Sequence, residues 1–159
     1  MALIHNNRPF DPDAIPSPVV GIALDAHQHD SGMHQHRKGQ LLYAPSGCIN
    51  FAFEQSISIL PPTRAVWIPA NTPHQAVMTK VVAYRSLYFD ATEFQCPQQV
   101  RTIKVNALLK ALINKMALWE WDTEPQQMRN TNALFWEEFN QLRHTICSLP
   151  CPRIVAFVI

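Results

Sequence analysis

Charge is scarce in this chain. Of its 159 residues 16% are charged, and the formal net charge is +1. Lysines and arginines are scattered with no basic block, so the electrostatic footprint of a nucleic-acid binder is missing, and any contact with DNA has to come from elsewhere. The four cysteines, Cys48, Cys96, Cys147 and Cys151, form no CxxC and no dense framework. That excludes a disulfide scaffold and reads as reduced cytosolic thiols. The N-terminal stretch "MALIHNNRPFDPDAIPSP" is polar and proline-rich, unlike a signal peptide, and the longest apolar runs fall far short of a membrane span. The expectation is a soluble cytoplasmic protein with no membrane partner. Apolar residues make up 47% of the chain, enough for one folded domain with a real core.

The chain changes character near residue 95. Before it lie short β-branched and aromatic runs: "PVVGIAL" (18–24), "QLLYAP" (40–45), "CINFAF" (48–53), "ISIL" (57–60), "RAVWIP" (64–69) and "HQAVMTKVVAYRSLYF" (74–89). "PSG", "PPT" and "PANTP" separate them, because proline removes ladder donors and ends strands. Short strands at such intervals predict an all-β sandwich or small barrel. Beyond residue 100, Val105, Leu108, Leu109, Leu112, Ile113 and Met116 recur at the spacing of an amphipathic helix. A second stripe runs Phe135, Phe139, Leu142, Ile146 with Leu134 beside it; Asp122, Thr123 and Pro125 supply start signals, and "WEWDTEPQQMRNTN" is read as the intervening loop. The helices are expected to pack on the outside of the barrel. Their stripe, through Leu109, Leu112, Phe135, Phe139 and Leu142, is also the expected dimerisation surface. The tail "SLPCPRIVAFVI" stops within an apolar run, as a truncated chain would.

Chemistry concentrates in "HQHRKGQLLYAPSG" (34–47) and "PANTPH" (69–74). A His-x-His pair on a strand projects both rings from one face. A turn at Lys38-Gly39 would then bring Gln40 back to the side of His34 and His36, with His74 arriving from another strand across the barrel. Parity places Leu42 and Ala44 with Gln40, and Ala76 and Met78 with His74, while Leu41 and Tyr43 face the other way. The expected effector pocket is therefore His34, His36, Gln40, Leu42, His74, Ala76 and Met78, apolar-walled with a few convergent polar groups. Trp67 is expected to pack under the helices, and Tyr84 and Tyr88 share a face. Two readings of the histidines stand side by side. They line a pocket for an organic effector and require no cofactor, or His34, His36 and His74, with Gln40, hold a divalent transition metal such as zinc, nickel or iron. A second pair, His27 and His29, reads as a loop or strand end.

The pattern His34-x-His36-x3-Gln40-x6-Gly47 resembles the first motif of the cupin superfamily, with glutamine where metal-binding cupins carry glutamate. Pro69, Asn71 and His74 resemble the second, with Asn71 in place of a glycine. Taken in order, "HRKGQLLYAPSG", "PPTRAVWIPANTPH" and "YRSLYFD" resemble the N-terminal sensor domain of AraC/XylS-type bacterial transcription regulators over residues 15–150. The resemblance implies a mainly β, cupin-like (double-stranded β-helix or jelly-roll) barrel followed by two C-terminal α-helices. It also implies an N-terminal arm over 1–15, a barrel over 16–95, a helical dimerisation segment over 101–148, and a linker over 149–159 toward an absent helix-turn-helix domain. The implied function is effector sensing and homodimerisation without catalysis, with DNA reached only through that absent domain. The alternative is a small metal-dependent cupin enzyme of dioxygenase or isomerase type.

Overall fold

In the computed structural model, residues 10–53 and 56–145 are described. Ile146, Cys147, Cys151, the expected linker and most of the expected arm lie outside them. Seven antiparallel strands precede two helices: β1 (Val19–Asp30), β2 (Gly39–Tyr43), β3 (Ser46–Phe53), β4 (Ser56–Leu60), β5 (Arg64–Ile68), β6 (Gln75–Phe89), β7 (Arg101–Lys104), α1 (Ala107–Ala117) and α2 (Pro125–Thr145). The strand order is β4-β3-β6-β2-β5-β7, with β1 along the remaining edge of β6.

β6 organises the barrel. Its first half pairs with β3, from Ala52↔Gln75 to Ser46↔Val82, and its second with β2, from Tyr43↔Arg85 to Gly39↔Phe89. β1 follows its other edge from Val19↔Phe89 to Asp30↔Val77. The change of partner falls at Ala83, whose φ is 63°. There β6 carries one more residue than β1 between the pairs Leu24↔Tyr84 and Ala26↔Val81. Such a bulge bends the strand, and the bend lets one sheet fold over itself.

Strand alternation divides the apolar residues into two compartments. Leu42, Ala44, Ile49, Phe51, Val66, Ile68, Ala76 and Met78 pack together inside the barrel. Leu41, Tyr43, Trp67, Leu87 and Phe89 face the opposite way, against the helices. Trp67 is fully buried, donates its indole N–H to the Pro97 carbonyl at 2.9 Å, and lies edge-on to Trp136 and Phe139. Gly39 is glycine because the Trp67 ring occupies the space beside it: a Cβ there would lie 2.6 Å from Cζ2.

The helical half differs from expectation in four ways. The segment 101–104 is strand β7, paired to β5 from Arg64↔Lys104 to Trp67↔Arg101, so the barrel runs past residue 95 and the helices begin at Ala107. Val105 precedes α1, which starts where the Asn106 side chain accepts from the Leu109 amide at 2.8 Å. Leu108 and Leu134 are 42% and 38% exposed and stand outside the buried stripes. Finally, Pro125 is the first residue of α2, so residues 125–132 of the expected loop are helical.

The expected dimerisation residues are also placed. Leu109, Leu112, Phe135 and Phe139 are buried, and Leu142 partly so, in the compartment that joins the helices to the sheet. Within one chain their apolar surface is spent on the barrel, so they are core residues here and not a free interface. Burying each large side chain of this kind stabilises the fold by about 2 kcal/mol.

Candidate functional site

His34 and His36 lie in the connector between β1 and β2, outside any named strand, and His74 stands just before β6. Backbone pairing brings them together. His34 and His74 form an isolated antiparallel bridge, each amide donating to the other's carbonyl at 3.0 and 2.9 Å. The Asn71 amide donates to the His36 carbonyl at 2.8 Å. Asn71 has φ 57°, so asparagine does take the left-handed conformation expected where the cupin pattern has glycine. The ring centroids are 4.4 Å apart for His34 and His74, 5.1 Å for His36 and His74, and 5.9 Å for His34 and His36. One nitrogen of each ring lies within 4.8 Å of the others.

The three rings share a local hydrogen-bond arrangement. Nδ1 of His34 meets the Gly32 carbonyl at 2.9 Å, Nδ1 of His36 the Lys38 carbonyl, and Nδ1 of His74 the Thr72 carbonyl at 2.7 Å. A carbonyl only accepts, so each Nδ1 carries the hydrogen and each Nε2 keeps a lone pair. Burial favours the neutral rings: it lowers the pKa of His36 and pushes that of His74 down to about 4. Nε2 of His74 is buried and has no hydrogen-bond partner.

Gln40 completes the cluster. On β2 it pairs with Tyr88 of β6 across the ladder, with Ser86 two residues along. Its amide nitrogen donates to Ser86 Oγ at 2.8 Å and to Tyr88 Oη at 3.0 Å, and its oxygen lies 3.2 Å from His36 Nε2. Burial raises the Tyr88 pKa to about 12, so its hydroxyl stays protonated. The donors facing the site are thus uncharged.

A short segment roofs one side. The turn Pro12–Ala14 is held by Lys38, whose buried Nζ donates to the carbonyls of Pro12 at 2.7 Å and Ile15 at 2.6 Å. The Asp13 carboxylate accepts from the amides of Arg37 and Lys38 at 2.7 and 3.2 Å. Phe10 packs on Tyr88 with centroids 5.7 Å apart, and Tyr88 meets His36 edge-on at 5.1 Å.

The structure therefore brings His34, His36, Gln40 and His74 to one place. Leu42, Ala76 and Met78 are buried in the barrel interior among Ile49, Phe51 and Ile68. The expected turn at Lys38-Gly39 is a bend at 37–38, with Gly39 already in β2. Positions 27 and 29 lie in the last four residues of β1, the strand end and not the loop of the two expectations, and His29 pairs with Met78 in register. Ser86, Tyr88 and Lys38 were missed. Parity could have found the first two; no sequence signal marks Lys38 as a buried cation. A cleft of ≈ 510 Å³ opens beside the roof, between Asp13, Lys38, Asp90 and Glu93, and the three histidines do not line it. No helix among the described residues is long and apolar enough to cross a membrane.

The chain is 30% identical over 136 residues to the HTH-type transcriptional regulator NimR of Escherichia coli (strain K12), covering 83% of this chain and 50% of NimR. It thus spans about half the length of that curated relative. ToxT of Vibrio cholerae, as the apo K231A protein, superposes with a TM-score of 0.59 at 7% identity, covering 81% of this chain and 57% of ToxT. Wild-type ToxT bound to unsaturated fatty acid gives 0.55 at 8% identity over 82% and 56%. These two likenesses are of fold alone, that of the mainly β barrel followed by two helices described above. The model of the AraC-like ligand binding domain matches residues 17–138, and the chain belongs to that family.

Proposed function

We propose that this chain is the effector-sensing half of a transcription regulator, and that a small molecule is received at His34, His36, Gln40 and His74. The observation that carries the site is His74 Nε2, a buried acceptor without a partner in the described structure. An unsatisfied buried acceptor costs about 1–3 kcal/mol, which a ligand donor or cation recovers. Beneath it the barrel is apolar, and beside it lies the segment 10–15, held through Lys38. An effector with different affinity for the docked and released segment would shift the balance between them, and only such a difference lets binding signal.

The family and the HTH-type relative support regulation over catalysis, so this reading takes the chain as a binding domain and not an enzyme. DNA is reached through a further domain, the protein works as a homodimer, and its compartment is the cytoplasm. The competing dioxygenase or isomerase reading would require turnover lost on substitution of His74.

The test is a ligand screen by thermal denaturation. At a hundredfold excess over Kd, an effector should stabilise the chain by about 2.7 kcal/mol. That raises Tm by roughly 5–10 °C for a domain of this size. Gln40→Leu should abolish the shift, and in the full-length regulator the same compound should change operator affinity. A compound that shifts Tm equally in wild type and Gln40→Leu would place the effector site elsewhere.

A further inference from the structure

We propose that two copies of this chain join along the free edge of β4, each pairing that strand antiparallel with its counterpart about a two-fold axis. The inference rests on the reading of the protein as a homodimer and names the surface that makes it; effector binding has no part in it.

The polarity of β4, "SISIL", is inverted. Side chains alternate across a strand, one set toward the barrel interior and the other outward. Leu60 is buried with the interior residues and pairs with Ile49, so Ser58 shares its inner side while Ile57 and Ile59 point outward. The two isoleucines are 71% and 57% exposed. A strand that served only its own barrel would carry them the other way round, isoleucine within and serine outside.

The edge is also open and unguarded. β4 ends the strand order and, among the described residues, pairs with β3 alone, so its outer row of backbone N–H and C=O groups has no ladder partner. Such edges are ordinarily blunted by charge, proline or a bulge. β4 has none of these, and its register with β3 runs unbroken from Ile49↔Leu60 to Phe53↔Ser56. Inward from the edge the outer surface stays uncharged, through Asn50 and Ala52 of β3 to Val77 and Gln75 of β6. Nothing there selects a charged partner, whereas an uncharged antiparallel edge is complementary to its own copy. Two-fold rotation sets donor against acceptor and brings the isoleucines of both strands onto one continuous outer face. The helices compete poorly for this role, because Leu109, Leu112, Phe135 and Phe139 are spent on the barrel. With five residues a side the seam is short, so the dimer is a reversible one.

The experiment is sedimentation velocity over a concentration series, with amide exchange in β4 read at both ends of the series. A monomer–dimer equilibrium is expected, and exchange in β4 should slow at least about tenfold in the dimer. Ile57→Lys and Ile59→Lys, at exposed positions, should each weaken association at least about tenfold while keeping the wild-type circular dichroism, because they set like charges together in the seam. Leu108→Lys and Leu134→Lys, at the exposed positions of α1 and α2, should leave association unchanged. A dimer that survives both isoleucine substitutions, or whose β4 amides exchange as fast as the monomer's, keeps the homodimer and overturns β4 as its seam. A chain that stays monomeric throughout overturns both, whether its β4 amides are free, as for a different protein partner, or protected, as for a segment of this chain. Exchange is read on the unaltered chain, so a variant that misfolds does not decide the matter, and a failed effector screen leaves these results untouched.

Discussion

Replacing Gly21 by alanine would place a methyl group where the last turn of α1 already is. A Cβ on Gly21 would lie 2.1 Å from the Met116 carbonyl oxygen and 2.8 Å from the Ala117 Cα. Both are backbone atoms, so no rotamer change makes room. Restoring van der Waals separation requires β1 and the helix end to part by ~1 Å. That loosens the seat of Leu109, Ile113 and Met116, which are at most 1% exposed, and strains the bond from Trp121 Nε1 to the Gly21 carbonyl, 3.0 Å long. Overpacking against a well-ordered core costs about 1–3 kcal/mol, and an immovable backbone argues for the upper end. For a domain of this size, about 3 kcal/mol lowers Tm by roughly 6–12 °C. Urea unfolding followed by tryptophan fluorescence would measure it. Gly32→Ala is the comparison, because its φ is +64° and nothing lies within 4 Å of a Cβ there. That substitution carries only the left-handed penalty of about 1–2 kcal/mol. If Gly21→Ala costs no more than Gly32→Ala, the close strand–helix approach is wrong.

Lys38→Met removes two charge-assisted hydrogen bonds to the Pro12 and Ile15 carbonyls but also the expense of a buried ammonium. The global change should be small, about 1 kcal/mol, while amide exchange in residues 10–15 rises at least about tenfold; unchanged exchange would refute the latch. With chelator present, the depressed pKa of His74 makes stability depend on pH. The unfolded chain takes up a proton near 6.5 and the folded one only near 4. Stability is therefore complete above pH 6.5 and falls by about 3 kcal/mol as pH drops through that window. His36, shifted the same way, adds to the loss. In His74→Asn the slope should flatten, and identical slopes in the two proteins would contradict the burial of that ring.

The first six strands were legible at least in part, the second half of β1 beyond Leu24 lying outside the run that marks it, because each contains a β-branched or aromatic run, and proline closes β2, β4 and β5. β7 was not: "RTIK" has a single buried apolar residue, Ile103, and exists because β5 offers it a free edge. Pro125 did signal the start of α2, but the loop was read eight residues too long for a related reason. "PQQMRNTN" shows only Met128 and Asn132 buried, so its helical period is nearly silent until Phe135. An amphipathic stripe announces that it will be covered and not by what, and here the barrel's outer face covers Leu109, Leu112, Phe135 and Phe139. The four cluster residues were readable from spacing and motif. What lay beyond reach was the set of backbone carbonyls that orient the rings, since these follow from local conformation and not from residue type.

The dipeptide Arg37-Lys38 has one further implication. It holds the roof through its two amides and the lysine ammonium, with His36 immediately before it and Gln40 after it, beyond Gly39. News of an occupied site would thus cross only two residues, ~7 Å of chain, before reaching the roof. No wave of rearrangement through the sheet is needed. Substitutions deep in the barrel should then weaken the fold without severing the dialogue between site and roof, whereas lengthening this link by a single residue should silence it in an otherwise sturdy protein.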